Sequence, residues 1–372
     1  MRVEYVHFYV EDARVWRDWF VHKLNFRSVA YDGEKNTTYF FKADLSDRAF
    51  DTCTEIVKSG AVCFLLSSPL LPTSPVAEFL RRHPPGVADV ALSVENVEEV
   101  ISLAQAHGGE VLQPVQQYQQ NWCKIKWGKI AAWGSLSHTL IERGSLATDR
   151  LSVAHTESVP SFTAIDHIVL NVAAGDLGRA VTWYAKILNF RPQQTFNIET
   201  AHSALYSQVM ISQNGNIQLP INEPASANSQ IQEFLDVNQG SGIQHIALRT
   251  RNIVNAISQF RANGLSFLSV TKDYYSQIQQ RRGLPLSIKE LNVLAQQEIL
   301  VDWQEDEFFR LPQVTPVLLQ IFTQPIFGQP TFFFEFIERR YQAKGFGEGN
   351  FRALFEAIER EQIKRGHLKD EV

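Results

Sequence analysis

The chain is written twice, and a repeat of this kind constrains its architecture before any single residue is weighed. YVHFYVEDARVWRDWFVHKLNFR, near the N-terminus, is matched from Ile165 by IDHIVLNVAAGDLGRAVTWYAKILNFR. Both read as a short apolar strand, a polar turn, an amphipathic helix carrying Trp, and then L-N-F-R. VADVALSVENVEEVISLAQAHGGEVL is matched by IQHIALRTRNIVNAISQFRANGLSFL, each an alternating strand, a helix and a glycine suited to a helix C-cap. SHTLIER is matched by FFFEFIER. In this alignment His7 falls on His167, Asp89 on His245 and Thr139 on Glu335. The polar, unperiodic stretch from Leu146 to Phe162 reads as a linker, so we expect two domains, 1–150 and 161–372.

Composition narrows the class. With 372 residues, 44% hydrophobic and 20% charged, the chain can bury sizeable cores. A formal net charge of -5 argues against a nucleic-acid partner, which leaves a basic footprint. No apolar run is long enough for a membrane helix, and MRVEYVHFYVED lacks a signal-peptide pattern. Cys53, Cys63 and Cys123 are too few and too scattered for a disulfide frame or a cysteine zinc site. The expectation is a soluble, cytoplasmic protein, no membrane partner, and assembly as a homo-oligomer.

The halves differ in chemistry. The second carries His167, His245 and Glu335 at the matched strand positions, whereas the first has His7, Asp89 and Thr139. Threonine is a poor metal ligand, so a metal site is expected only in the second half. Two imidazoles and one carboxylate can bind one face of an octahedral metal and leave three positions open, as in non-haem Fe(II) oxygenases. Strand alternation puts Ile165 and Val169 on the face of His167, and Phe333 and Ile337 on that of Glu335. The pocket should therefore be apolar and aromatic. Taken singly, a strand histidine is more often structural than a ligand, and Glu335 could pair with Arg339 instead. An ionised glutamate among the phenylalanines of TFFFEFIER is nevertheless costly unless paired or metal-bound.

Six ordered motifs carry a resemblance: D-H-I-V-L-N-V at 166–172, P-I-N-E-P at 220–224, G-I-Q-H-I-A-L at 242–248, L-L-Q-I-F-T at 318–323, P-T-F-F-F-E-F-I-E-R at 330–339 and G-F-G-E-G-N-F at 345–351. On these the chain resembles the 4-hydroxyphenylpyruvate dioxygenases, within the vicinal oxygen chelate superfamily. The resemblance implies an α+β fold of two tandem vicinal-oxygen-chelate domains. Each would consist of paired βαβββ modules forming an open barrel-like sheet, the first a degenerate scaffold and the second catalytic, closed by a C-terminal lid helix. It also implies Fe(II) held by His167, His245 and Glu335. The reaction it implies converts 4-hydroxyphenylpyruvate and O2 to homogentisate and CO2, by decarboxylation, ring hydroxylation and side-chain migration, as in tyrosine breakdown or in quinone and tocopherol synthesis. Ser203, Asn222, Gln230 and Gln320 correspond to polar positions near the substrate, and Val169 lines the pocket. Phe322 shares a strand face with Gln320, and Phe333, Phe346 and Phe351 hold the ring. Gln244 belongs to the same set, although alternation beside His245 turns its side chain the other way.

Each of these has a plainer alternative. Pro220 and Asn222 could make a turn, and Gln230 could be a surface helix residue. Phe351, Leu354, Phe355 and Ile358 form one apolar helical face, with Asn350 as a plausible N-cap. Glu359 to Arg365 reads as a solvated stretch. The segment before L-L-Q-I-F is longer than the family's short hairpin, which predicts an extended surface loop around Phe308 to Pro316. The nearest rival function is 4-hydroxymandelate synthase, which uses the same substrate and ligands. More distant are an extradiol dioxygenase and a metal-free binding protein of the same fold.

Overall fold

The structure, a computed structural model, describes residues 1–29, 51–120, 123–144, 160–200, 202–303 and 315–366. Most of the expected linker, 146–159, and most of the expected loop extension, 308–314, lie outside the described residues. In the first half, β1 (Arg2–Tyr9), α1 (Ala13–Leu24), β2 (Arg27–Ser28), β3 (Thr52–Ser59) and β4 (Val62–Pro69) form one βαβββ unit. After α2 (Pro75–Arg82), the second unit is β5 (Gly86–Ser93), α3 (Val97–Ala106), β6 (Val111–Gln120), β7 (Cys123–Ala131) and β8 (Ser137–Arg143).

The second half repeats this plan. Its first unit is β9 (Ala164–Asn171), α4 (Leu177–Leu188), β10 (Arg191–Glu199), β11 (Ala204–Ile211) and β12 (Gln218–Pro224). Following α5 (Gln230–Asn238) come β13 (Gly242–Arg249), α6 (Ile253–Ala262), α7 (Lys272–Gln280), α8 (Ile288–Gln296), β14 (Leu300–Trp303), β15 (Val317–Phe322) and β16 (Phe333–Arg340). The C-terminal helix is α9 (Phe351–Lys364). The sheet orders are β2-β3-β4-β1-β5-β8-β7-β6 and β10-β11-β12-β9-β13-β16-β15-β14, the same order twice. The expected fold class is borne out: among the described residues there are two tandem eight-stranded sheets, each of paired βαβββ units, and a C-terminal helix. Among the described residues no helix is long and apolar enough to cross a membrane.

Local sequence explains the repeat. In each L-N-F-R the asparagine, Asn25 or Asn189, ends its helix in the left-handed region at φ 56° or 57°, a position asparagine tolerates. The run around Glu335 alternates. Phe332, Phe334 and Phe336 face a core shared with Phe8, Phe20 and Phe64 of the first half, with the Phe64 and Phe334 rings stacked at 5.8 Å. Phe333 and Glu335 face the interior of the second sheet. Each fully buried phenylalanine contributes on the order of 2–3 kcal/mol, so the face between the halves is core rather than contact surface. Phe162, at the end of the expected linker, is wholly buried against Phe26, Phe260 and Phe336.

The register corrects the alignment of the repeat. In the second half Val169 faces His245 and His167 faces Ala247; in the first, His7 faces Asp89 and Tyr5 faces Ala91. The counterpart of His167 is therefore Tyr5, two residues before His7, and His7 stands where Val169 does. Asp89 and Thr139 do match His245 and Glu335, because Asp89 pairs with Ser137 as His245 pairs with Phe333. The register shifts where Asp166 and Gln244 are inserted, and the first half has equivalent shifts at Glu4 and Ala88. An inserted residue of this kind turns a side chain to a face that strict alternation denies it.

Candidate active site

The three expected ligands sit on β9, β13 and β16, adjacent central strands of the second sheet. All are buried, at 4%, 8% and 2% exposure for His167, His245 and Glu335. One donor atom from each lies within 4.8 Å of the others. Glu335 Oε2 is 3.0 Å from His167 Nε2 and 3.7 Å from His245 Nε2. Bonds of about 2.1 Å at right angles would space donors about 3.0 Å apart; the Glu335–His167 spacing matches this, and His245 stands somewhat wider. Glu335 does not pair with Arg339, whose guanidinium is taken by Asp166 at 2.6 Å and 2.8 Å.

Electrostatics follow from this crowding. Burial draws the His167 imidazole down, but the carboxylates of Glu335 and Asp166 outweigh it and push it up to about 9. Burial, and then the neighbouring His167, hold His245 well below its usual value. Burial pushes the Asp166 carboxyl up, yet Arg339 and His167 overcome this and keep it well below the carboxylate range. His167 is thus drawn toward its positive form by carboxylates that would equally hold a cation in its place.

The donors open into a cavity of about 690 Å³, including its solvent-facing mouth, within the range of small-molecule sites. Its wall includes Val169, Asn222, Gln230, Gln244, Gln320, Phe322, Phe333, Phe346 and Phe351, so the structure brings these expected residues together around the three candidate ligands. The His245 ring stacks on Phe333 at 4.7 Å, and the Phe346 ring stands edge-on to His167 at 5.2 Å.

Several expectations change. Gln244 joins the wall beside His245 because it is the inserted residue of β13, so alternation does not apply there. Ile165 is on the other side, half-buried against the core, because Asp166 is inserted between it and His167. Ser203 lies outside the wall: its hydroxyl donates to Glu359 at 2.7 Å. The serine of β11 in the wall is Ser207, and Phe196 of β10 is there too, neither singled out from sequence. Pro220 and Asn222 lie within β12 rather than in a turn, and Gln230 is buried at the start of α5. Asn350 makes no cap bond; its amide donates to Gln320 Oε1 at 2.8 Å. The apolar face of α9, with Phe351, Leu354, Phe355 and Ile358, lines the cavity. Its later turn is not simply solvated, for Glu359 is buried and Arg365 pairs with Glu233 at 2.9 Å.

Fold and site together define a class, the paired-module oxygen-chelate proteins with an enclosed two-histidine, one-carboxylate centre. Consistent with this, residues 164–280 match the Glyoxalase/Bleomycin resistance protein/Dioxygenase superfamily. Over 98% of its length the chain is 36% identical to the 4-hydroxyphenylpyruvate dioxygenase of Coccidioides posadasii, covering 94% of that protein. It is also 36% identical to that of Yarrowia lipolytica, over 98% of this chain and 93% of the relative. A solved structure of a 4-hydroxymandelate synthase mutant from Streptomyces coelicolor superposes with a TM-score of 0.79 at 25% identity, covering 97% of this chain and 98% of that one. The chain belongs to the 4-hydroxyphenylpyruvate dioxygenase family.

Proposed function

We propose that the chain binds Fe(II) through His167, His245 and Glu335 and converts 4-hydroxyphenylpyruvate and O2 to homogentisate and CO2. The observation that carries this is the convergence of three buried donor atoms from neighbouring strands on one apolar, aromatic-walled cavity. Bound Fe(II) would supply chelation of the 2-oxo acid and activation of O2.

The chain's own residues do the rest. Glu335 Oε1 is occupied by the Gln320 amide at 2.7 Å, so Oε2 alone faces the histidines and the carboxylate offers one donor. An Fe(II) ion held by one donor from each of the three residues would keep room for a bidentate keto acid and O2. Phe322, Phe333, Phe346 and Phe351 give the substrate ring an apolar bed and exclude water from the reacting carbons. Ser207, Asn222, Gln230 and Gln244 supply the polar contacts. Gln230 Oε1 is buried without a protein partner, as a group reserved for a ligand would be. Gln320, its amide engaged by Glu335, Phe346 and Asn350, holds the site rather than the substrate. In this reading residues 1–150 are scaffold, with Tyr5, Asp89 and Thr139 where 161–372 carry the ligands.

The synthase reading shares substrate and ligands, but the relatives named as dioxygenases are the more similar ones, at 36% against 25% identity. Incubation with Fe(II), ascorbate, O2 and 4-hydroxyphenylpyruvate, followed by product identification, tests the proposal. Homogentisate is expected. 4-Hydroxymandelate would select the synthase, and ligand binding without stoichiometric iron or turnover would select a binding protein.

A further inference from the structure

A second triad lies beneath the ligand triad, on the same three strands. Asp166 precedes His167 on β9, Arg249 follows His245 on β13, and Arg339 follows Glu335 on β16. Asp166 Oδ2 accepts from Arg249 at 2.6 Å and 2.9 Å, and its two oxygens accept from Arg339 at 2.6 Å and 2.8 Å. Asp166 Oδ1 also accepts from His167 Nδ1 at 3.1 Å. The Asp166 side chain is fully enclosed, and that of Arg339 is only 9% exposed. Adjacent residues on a strand normally face opposite ways; Asp166 reaches the imidazole because it is the inserted residue of β9.

We propose that Asp166 is the positioning residue of the metal centre. Held by two arginines, it fixes the His167 ring with Nδ1 protonated and Nε2 turned to the metal. This inference rests on the metal site proposed above. A ligating histidine needs one nitrogen unprotonated and its ring oriented, and a carboxylate on the other nitrogen provides both. Arg339 extends the clamp, donating to the carbonyls of Ala343 at 3.1 Å and Gly345 at 2.9 Å, at the start of the segment that brings Phe346 against His167.

The first half supplies a control. Glu4 occupies the place of Asp166, and Arg143 that of Arg339; they pair at 2.9 Å. The ion pair persists there without a ligand histidine, since Tyr5 stands in the His167 place. The pair by itself thus belongs to the architecture, while the bond to Nδ1 is particular to the second half.

The test is Co(II) titration of the full chain, followed by its visible absorption. Asp166→Asn should weaken Co(II) binding by about 10- to 100-fold, the usual cost of losing such a partner. Glu4→Gln should leave affinity unchanged, even where it lowers the unfolding midpoint. Wild-type affinity in folded Asp166→Asn, or equal loss in Glu4→Gln, would overturn the proposal. Should Asp166→Asn not fold, long-range nitrogen–proton NMR of the Zn(II)-loaded wild type still decides. A protonated Nδ1 on His167, assigned by its loss in His167→Gln, is expected, and a protonated or metal-free Nε2 would overturn it. Failure of the wild type to take up Co(II) would instead overturn the metal site itself.

Discussion

Gln320 and Glu335 are joined by a bond of 2.7 Å from the Gln320 amide to Oε1 of the carboxylate, deep inside the second sheet. The same amide donates to the Phe346 carbonyl at 2.9 Å, and Gln320 Oε1 accepts from Asn350 at 2.8 Å. Asn350 in turn accepts from the Tyr274 hydroxyl at 2.7 Å. One side chain therefore ties a candidate ligand to the segment that begins the roof helix. Gln320→Leu would leave three buried polar groups unsatisfied, each at about 1–3 kcal/mol. We expect the melting temperature to fall by several degrees and kcat by at least about tenfold. Thermal melts and steady-state kinetics check this; wild-type values in both would contradict the assignment.

Gly347 is forced by the same contact. Its φ is 75°, and a Cβ built there would lie 1.9 Å from Gln320 Oε1. Gly347→Ala should displace the roof, cut turnover severely and make α9 more accessible to protease. Gly345→Ala is the comparison, for its added Cβ meets only the end of the Glu348 side chain at 2.8 Å, on a carboxylate that Gln194 holds by a single bond of 2.9 Å. Because both glycines adopt positive φ, which costs alanine about 1–2 kcal/mol, the difference between the variants weighs the buried Gln320 contact against the Glu348 one. Equal activity in the two would contradict it.

Acid stability should depend on His7. Burial, and then the charge of Lys129, lower this imidazole to about 3, below the ordinary histidine value near 6.5. The unfolded chain binds the proton more readily, so this contribution is complete above about 6.5 and is lost as pH falls toward 3. His7→Gln should flatten the decline in unfolding free energy between pH 7 and pH 4.5 by on the order of 2 kcal/mol. Denaturant titrations at the two pH values measure it, and an unchanged decline would contradict the assignment.

The two-fold plan was legible because its signals are local: helix periodicity, the L-N-F-R caps and the alternating strands. His245 and Glu335 could be matched to Asp89 and Thr139 because the two copies keep the same length there, the inserted Gln244 and Ala88 standing at equivalent places. His7 was drawn onto His167 by identity of residue type, while the structure pairs His167 with Tyr5. Nothing in a single sequence marks Glu4 and Asp166 as inserted residues. The same blindness turned Gln244 away from the cavity it lines. Ser203, just before β11, and Ser207 within it have the same parity, and what separates them is Glu359, a helix residue distant in sequence that accepts the Ser203 hydroxyl. Such long-range partners have no periodic signature.

The central claim is that one ferrous ion is gripped by His167 Nε2, His245 Nε2 and Glu335 Oε2. Anomalous diffraction at the iron edge, from crystals grown anaerobically with Fe(II), tests it most directly. The account predicts a single strong peak within bonding distance of all three atoms, absent in Glu335→Ala. A peak held by other side chains, or one that persists unchanged in that variant, would contradict it.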